Sequence, residues 1–176
     1  MARHMVSHSQ PETFSADSAA STVYQSENDV VPDAVELGVL HGFAIQQFTY
    51  GQQIGVMDPE VYAYQALGAA LASTASHFQS TFGPSNPSYP NSATGDAAFA
   101  TDAYAHVFGH PGSPAQVQQF VNQLHFFEAL YTAAGTFGIA TGIDLLARGA
   151  IYGQMLGIDA ELNQVPIIGT TAAAHA

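Results

Sequence analysis

Residues 104–121 read YAHVFGHPGSPAQVQQFV, and this stretch combines the end of one helix, a turn and the start of another. Gly109 follows an apolar helical pattern and favours the left-handed conformation that commonly ends a helix. Ser113 and Gln116 have the spacing of a capping box, and Pro114 occupies the first helical position. The stretch therefore predicts a helix–Gly–turn–helix corner.

The same pattern recurs along the chain as a tyrosine, three residues, a large apolar residue, a glycine and then a capping Asp or Ser. The copies begin at Tyr50, Tyr104 and Tyr152 and place their glycines at Gly55, Gly109 and Gly157. Repetition at a roughly constant spacing of about fifty residues indicates one supersecondary unit used several times. We expect an all-α protein of about five to six helices in a compact bundle of such corners.

Apolar residues at helical spacing, together with start and stop signals, define the expected helices. They cover residues 33 to about 55, 59–82, 96–108, 114 to about 135, and 141–156. The segment from Gly83 to Gly95 contains three prolines and is expected to be an exposed loop available for contacts. The remaining organisation is a vector remnant at residues 1–5, an extended or disordered arm at 6–32, a helical domain at 33–168 and a frayed tail at 169–176.

The chain is strongly acidic, with two Lys or Arg residues against fourteen Asp and Glu and a formal net charge of −12. Both cations are arginines, Arg3 and Arg148. Nucleic acid is excluded as a partner because its phosphates require a basic patch. We expect Arg148 to form a structural salt bridge with Glu128, Asp144 or another acid.

Cysteine is absent, which excludes disulfides and thiolate chemistry. No run of residues is apolar enough to predict a transmembrane segment. A chain without lysine or cysteine and with few charges overall is typical of bacterial exoproteins and surface layers. The expected location is therefore extracellular or at the surface of a bacterial cell.

The stretch 104–121 resembles the core motif of the helical domain of unknown function 4214, which is found in bacterial surface-layer proteins, calcium-dependent repeat exoproteins and adhesins. That motif reads Tyr-x-x-Val-Leu-Gly-Arg-x-Pro-Asp and continues into a Gly-Leu-x-x-Trp helix. Val107, Phe108 and Gly109 match it, whereas His110 replaces its arginine and Phe120 stands near its tryptophan. The resemblance implies an all-helical module of an exported protein, often associated with cell-surface glycans, and implies no catalytic residues.

A metal site is the main chemical candidate. Asp102, His106 and His110 are spaced at i, i+4 and i+8, so one continuous helix would align them, and His125 and Glu128 are possible contributors from the next helix. Zinc accepts such ligands. Calcium is the other candidate ion, although the carboxylates are scattered and no EF-hand loop occurs. The alternative interpretation is that these histidines lie at the surface or at helix ends.

Aromatic residues near the Pro-containing loop are candidates for stacking on sugar rings. They are Tyr62, Phe82 and Tyr89, and the alternative interpretation places them in the core. The sequence contains no nucleophile elbow and no phosphate-binding glycine loop.

The sequence as a whole predicts a non-enzymatic extracellular module of a surface-layer, adhesin-like or secreted repeat protein. Its partner would be a cell-surface polysaccharide or a neighbouring subunit, and calcium or zinc would be its cofactor if it has one. The alternative is a small metal-binding protein or zinc-dependent enzyme that uses Asp102, His106, His110 and His125. A third possibility is self-association, because 47% of the residues are hydrophobic.

Overall fold

The computed structural model describes residues 14–134 and 142–164 and shows seven α-helices in them, without a strand. The helices are α1 (Ala16–Asn28), α2 (Ala34–Ile54), α3 (Pro59–Ala72), α4 (Ser76–Phe82), α5 (Ala93–Phe108), α6 (Pro114–Ala133) and α7 (Ile143–Gln164). The all-α prediction is confirmed, but the count of five to six helices is too low. The expected vector remnant at 1–5, the start of the arm at 6–13 and the tail at 169–176 lie outside the described residues.

The extended or disordered arm predicted for residues 6–32 is wrong over Ala16–Asn28, which form α1. Ser15 caps this helix, and Asp29 ends it in a left-handed conformation with φ 58°. The buried face of α1 consists mostly of alanine, and Ala19 is fully buried. Sequence periodicity did not detect the helix because small side chains give a weak apolar signal, although they allow close packing against neighbouring helices.

Three of the predicted helix starts are confirmed. Asp33 and Glu36 form a capping box at the start of α2, and Ser113 and Gln116 form another at the start of α6. Asp58 caps α3 by accepting a hydrogen bond from the Val61 amide at 3.0 Å. These caps satisfy amide groups that have no partner within the helix.

The single helix predicted for residues 59–82 is two helices separated by a turn. The Thr74 hydroxyl donates to the Leu71 carbonyl at 3.1 Å, and the side chain of Gln79 donates to the carbonyls of Ala72 and Ser73 at 3.2 and 2.8 Å. Side chains that bond the backbone in this way compete with helix continuation. They satisfy the carbonyls at the end of α3 and let α4 start in a new direction.

The corner glycines differ in their roles. Gly55 and Gly109 have φ values of 74° and 71° and end their helices as predicted. Gly157 was predicted to end a helix in the same way, but α7 continues past it to Gln164. A Cβ on Gly157 would lie 3.0 Å from the Cβ of Tyr64 on α3. The third copy of the pattern therefore serves helix packing and is not a corner.

Helices α3 and α7 make the closest contact in the bundle, along a glycine seam consisting of Gly68, Gly149, Gly153 and Gly157. A Cβ on Gly68 would lie 2.2 Å from the Gly149 carbonyl oxygen, and a Cβ on Gly153 would lie 2.3 Å from the Tyr64 carbonyl oxygen. Only glycine allows two helix backbones to approach this closely. The aromatic core lies beside this helix pair.

Among the described residues, no helix is both long and apolar enough to span a membrane.

Candidate functional site

Helix α2 is exposed to an unusual degree for an apolar helix. Although it is 21 residues long, its buried residues are Ala44 and Gly51 alone. Of the eleven exposed large hydrophobic side chains in the described part of the chain, eight lie between residues 30 and 57. They are Val30, Val31, Val35, Val39, Ile45, Tyr50, Ile54 and Met57. Clustered apolar exposure of this kind marks an interaction surface more often than a solvated one.

One stripe of this helix, called the α2 face below, consists of Val35, Gly38, Val39, Gly42 and Ile45. The valines are 75% and 68% exposed and Ile45 is 45% exposed. A Cβ built on either glycine would meet nothing within 4 Å, so open gaps separate the apolar side chains. The α2 face thus carries both projections and gaps.

Few charges lie near the α2 face. No Asp, Glu, Lys or Arg occurs between Glu36 and Asp58. A groove of about 300 Å³ runs beside Val35 and Val39, and its other lining residues are mostly apolar, with Glu36 as the one carboxylate: Tyr24, Glu36, Leu40, Leu71 and Thr74. Apolar side chains of a partner would fit such a groove.

The second half of α2 bears a shallow polar depression of about 480 Å³. Its lining consists of uncharged hydrogen-bonding side chains, namely Gln46, Gln47, Thr49, Tyr50 and Gln53. Tyr62 on α3 lies beside it, with its ring centroid 6.4 Å from that of Tyr50. Amides next to an aromatic ring suit neutral, hydroxyl-rich ligands.

A second arrangement, called the carboxylate–histidine cluster below, joins α5 and α6. It contains Asp96, His125 and Glu128, whose potential ligand atoms lie within 4.8 Å of one another, and it is the one such group in the part of the chain that the structure describes. Asp96 lies in the first turn of α5 and is 4% exposed. His125 Nε2 lies 3.3 Å from Asp96 Oδ2.

Arg148 on α7 contacts this cluster through Asp96. Its guanidinium is fully buried and donates to Asp96 Oδ1 at 3.0 Å. It also donates to the carbonyls of Phe82, Tyr89 and Pro90 at 3.0, 2.9 and 3.2 Å. The structural salt bridge predicted for this arginine exists, and its partner is Asp96 instead of the two acids named from the sequence.

The Pro-containing segment that was expected to be an exposed loop over Gly83–Gly95 is shorter and more tightly held. Helix α5 begins at Ala93 with Ser92 as its cap. A Cβ on Gly95 would lie 1.8 Å from the Pro90 carbonyl oxygen, so this glycine permits the tight fold. Together with the bonds from Arg148, this packing fixes the segment against the bundle.

Two carboxyl groups at or near the cluster have raised pKa values. Burial raises the pKa of Glu128, and the negative charges of Asp96 and Asp144 raise it further. Burial is also the main cause of a raised pKa at Asp144, where Arg148 acts in the opposite direction and Asp96 adds to the rise. Three carboxylates therefore share one partly desolvated region.

The structure separates the predicted metal ligands. The Tyr89 hydroxyl donates to Asp102 Oδ2 at 2.8 Å. His106 is exposed, and its ring centroid lies 6.2 Å from those of the core residues Phe82 and Tyr152.

His110 follows the end of α5, and its Nδ1 lies 3.2 Å from the Pro111 carbonyl oxygen. His125 is the one predicted ligand that belongs to the carboxylate–histidine cluster, where Glu128 had been named as a possible contributor. Sequence reasoning missed Asp96, which is 29 residues from His125.

The predicted sugar-stacking residues also occupy different environments. Phe82 is 6% exposed, and its ring packs in the core at 5.6 Å from Phe99 and 5.5 Å from Tyr152. Tyr89 is half-buried, and burial and its bond to the Asp102 carboxylate raise its pKa to about 12. Tyr62 alone lies beside a surface depression.

Comparisons of the chain with protein-family models, with curated proteins and with solved structures gave no match.

Proposed function

We propose that this protein is a non-enzymatic extracellular binding module that associates with a neighbouring copy of itself through the α2 face. The observation that carries the proposal is the concentration of eight exposed large hydrophobic side chains between Val30 and Met57. The lysine-free, cysteine-free composition and the resemblance of residues 104–121 to surface-layer and adhesin modules support the extracellular assignment.

If two copies associate, the charge distribution favours the α2 face as the contact. Each chain has a formal net charge of −12, so two copies repel each other over most of their surfaces. The stretch between Glu36 and Asp58 carries no carboxylate, so repulsion is smallest there. Identical acidic chains would therefore meet most readily through this helix.

The shape of the α2 face is suited to pairing with itself. In a twofold dimer the same patch contacts itself, so each projection must meet a gap on an equivalent surface. Val35 and Val39 supply projections, and Gly38 and Gly42 supply gaps. An antiparallel pair of α2 helices can place the valines of one copy over the glycines of the other. The chain already uses glycines for close helix packing at its glycine seam.

The test is the mass in solution as a function of concentration, measured by light scattering after gel filtration and by sedimentation. We expect a species of twice 18.4 kDa at high protein concentration. Raising the salt concentration should strengthen the dimer, because it screens the repulsion between acidic chains without weakening an apolar contact. A dimer held by salt bridges would respond in the opposite direction.

Val39→Asp should convert the dimer to monomer, since it places a charge in the apolar contact. The matched control is Leu162→Asp, because Leu162 is similarly exposed, at 63%, but lies on α7. A wild-type chain that stays monomeric at high concentration and high salt, or a Val39→Asp dimer as tight as wild type, would overturn the proposal. Monomers that bind a neutral oligosaccharide through Tyr50 would instead assign the helix to a glycan.

A further inference from the structure

We propose that the carboxylate–histidine cluster binds one divalent transition-metal ion of the zinc type, with His125 Nε2 and the carboxylates of Asp96 and Glu128 as ligands. This site goes beyond the proposed function and does not depend on it. It also differs from the set predicted from the sequence: it keeps His125 and Glu128, which had been named as possible contributors, and replaces Asp102, His106 and His110 by Asp96.

The spacing of the ligand atoms suits such an ion. Zinc lies about 2.0–2.2 Å from nitrogen and oxygen ligands, which places two ligands of a tetrahedral site about 3.3 Å apart. His125 Nε2 and Asp96 Oδ2 are 3.3 Å apart. All three ligand atoms lie within 4.8 Å of one another, so Glu128 needs only a small side-chain movement to complete the set.

The charge of the region also suits a divalent cation. Asp96, Glu128 and Asp144 contribute three negative charges, and Arg148 contributes one positive charge, which leaves −2 when His125 is neutral. Mutual repulsion contributes to the raised pKa of Glu128 and of Asp144. A doubly charged ion would balance the remaining charge of −2. The described residues contain no second Lys or Arg that could do so.

The least mobile ligand is oriented before any ion arrives. Arg148 binds Asp96 Oδ1, which leaves Oδ2 directed toward His125. The guanidinium is itself fixed by backbone carbonyls, including those of Phe82 and Tyr89. Hydrogen bonds of this kind behind a ligand raise metal affinity, because the ligand does not have to be reoriented on binding.

The ligand types select the class of metal. An imidazole nitrogen favours zinc and similar transition metals, whereas calcium and magnesium prefer sites made only of oxygen. The side chain of His125 is 47% exposed, so the ion can enter from solvent and keep a coordination position for water. His125 and Glu128 are one turn apart on α6, while Asp96 is on α5, so the ion would link two helices.

The experiment is calorimetric titration of the chelator-treated full chain with zinc chloride and, separately, with calcium chloride. We expect one zinc ion to bind per chain at the carboxylate–histidine cluster, and no calcium ion to bind there. His125→Ala and Glu128→Gln should each weaken zinc binding at least about tenfold, since removing a ligand costs no less than removing an outer hydrogen-bond partner. Cobalt absorption provides a second readout, because the same variants should lose the spectrum of the bound ion.

The matched control is His41→Ala. His41 Nδ1 lies 2.6 Å from Asp17 Oδ1 in an exposed pair that belongs to no group of three potential ligands within the described residues. This variant should bind zinc as wild type does. Circular dichroism checks that each variant is folded, which we expect because His125 is exposed and Glu128 is only half-buried.

Three results would overturn the metal site. They are no stoichiometric zinc binding, unchanged zinc binding in both cluster variants, and an equal loss of binding in His41→Ala. The proposed dimer and the proposed metal site can be refuted independently of each other. The monomeric Val39→Asp variant should bind zinc as wild type does, and the His125→Ala variant should still form the dimer.

Discussion

Gly153→Ala tests the close backbone contact along the glycine seam that holds α7 against α3. A Cβ at this position would lie 2.3 Å from the Tyr64 carbonyl oxygen and 3.2 Å from the Gln65 Cα. Non-bonded heavy atoms prefer a separation of about 3.5 Å or more, so the helices would have to move apart by roughly 1 Å. Both nearest groups are helical backbone, which cannot move aside as a flexible side chain would.

The expected loss of stability follows from two opposing effects. Overpacking a tight interior costs about 1–3 kcal/mol, and the backbone contact places this position near the upper end. Alanine recovers about 1 kcal/mol because it favours the helix more than glycine does. The net loss is therefore about 2 kcal/mol, which corresponds to a melting temperature about 4–8 °C lower for a chain of this size.

The assay is urea unfolding followed by circular dichroism at a protein concentration that keeps the chain monomeric. Gly42→Ala is the matched control, because its new Cβ meets nothing within 4 Å while the helix-propensity gain is the same. We expect the control to be about 0.5–1 kcal/mol more stable than wild type. If Gly153→Ala gained stability as Gly42→Ala does, α3 and α7 would not pack as described.

Two further predictions concern acids with a raised pKa, the half-buried Glu161 and the fully buried Glu27. Burial and the carboxylate of Asp58 raise the pKa of Glu161 from 4.5 to about 7. Because the folded state favours the protonated form of Glu161, its contribution to stability is complete below about pH 4.5 and is lost as the pH rises through 7. Thermal melts should therefore show higher stability at pH 5 than at pH 8. A higher melting temperature at pH 8 would contradict this. Glu27 is fully buried, its oxygens have no hydrogen-bond partner, and burial raises its pKa. Glu27→Leu should therefore raise the free energy of unfolding at pH 7 by about 1–3 kcal/mol, as measured by urea unfolding. The same substitution should make the free energy of unfolding depend less on pH. Lower stability of Glu27→Leu at pH 7 would indicate that the carboxyl group has a partner.

Local signals predicted the parts of the fold that depend on local hydrogen bonds. The capping residues Asp33, Asp58 and Ser113 and the stops at Gly55 and Gly109 are confirmed, because each depends on atoms within a few residues. Features that depend on distant contacts were not predicted. They include helix α1, whose alanine face gains its stability only when other helices cover it.

The misassignment of Gly157 shows how one residue type supports two structures. Glycine ends a helix when it adopts a left-handed conformation, and it permits close packing when it stays helical. Gly149, Gly153 and Gly157 are four residues apart, which places them on one face of a helix. This spacing of three glycines is visible in the sequence and indicates a helix–helix contact. It is a stronger signal than the single Leu156-Gly157 pair, from which the end of a helix was predicted.

The candidate sites were only partly predictable for the same reason. His125 and Glu128 were named from the sequence as possible contributors from one helix. Asp96 is far from both in sequence, and Arg148, 52 residues further along the chain, donates a hydrogen bond to its carboxylate. The exposure of the α2 face was also not predictable, since its apolar pattern is equally compatible with a buried helix.

The scarcity of cations connects the two proposed sites. Arg148 is the only Lys or Arg among the described residues, and it is fully buried against Asp96 and three backbone carbonyls. No arginine or lysine of the described surface can therefore neutralise a carboxylate, either within the chain or across an interface. Contact between copies is then favoured where acids are absent, which is the stretch between Glu36 and Asp58. The negative charge left around Asp96, Glu128 and Asp144 is available to attract a bound cation. The Val39→Asp variant tests the first inference and the zinc titration tests the second, so each site can be refuted without the other.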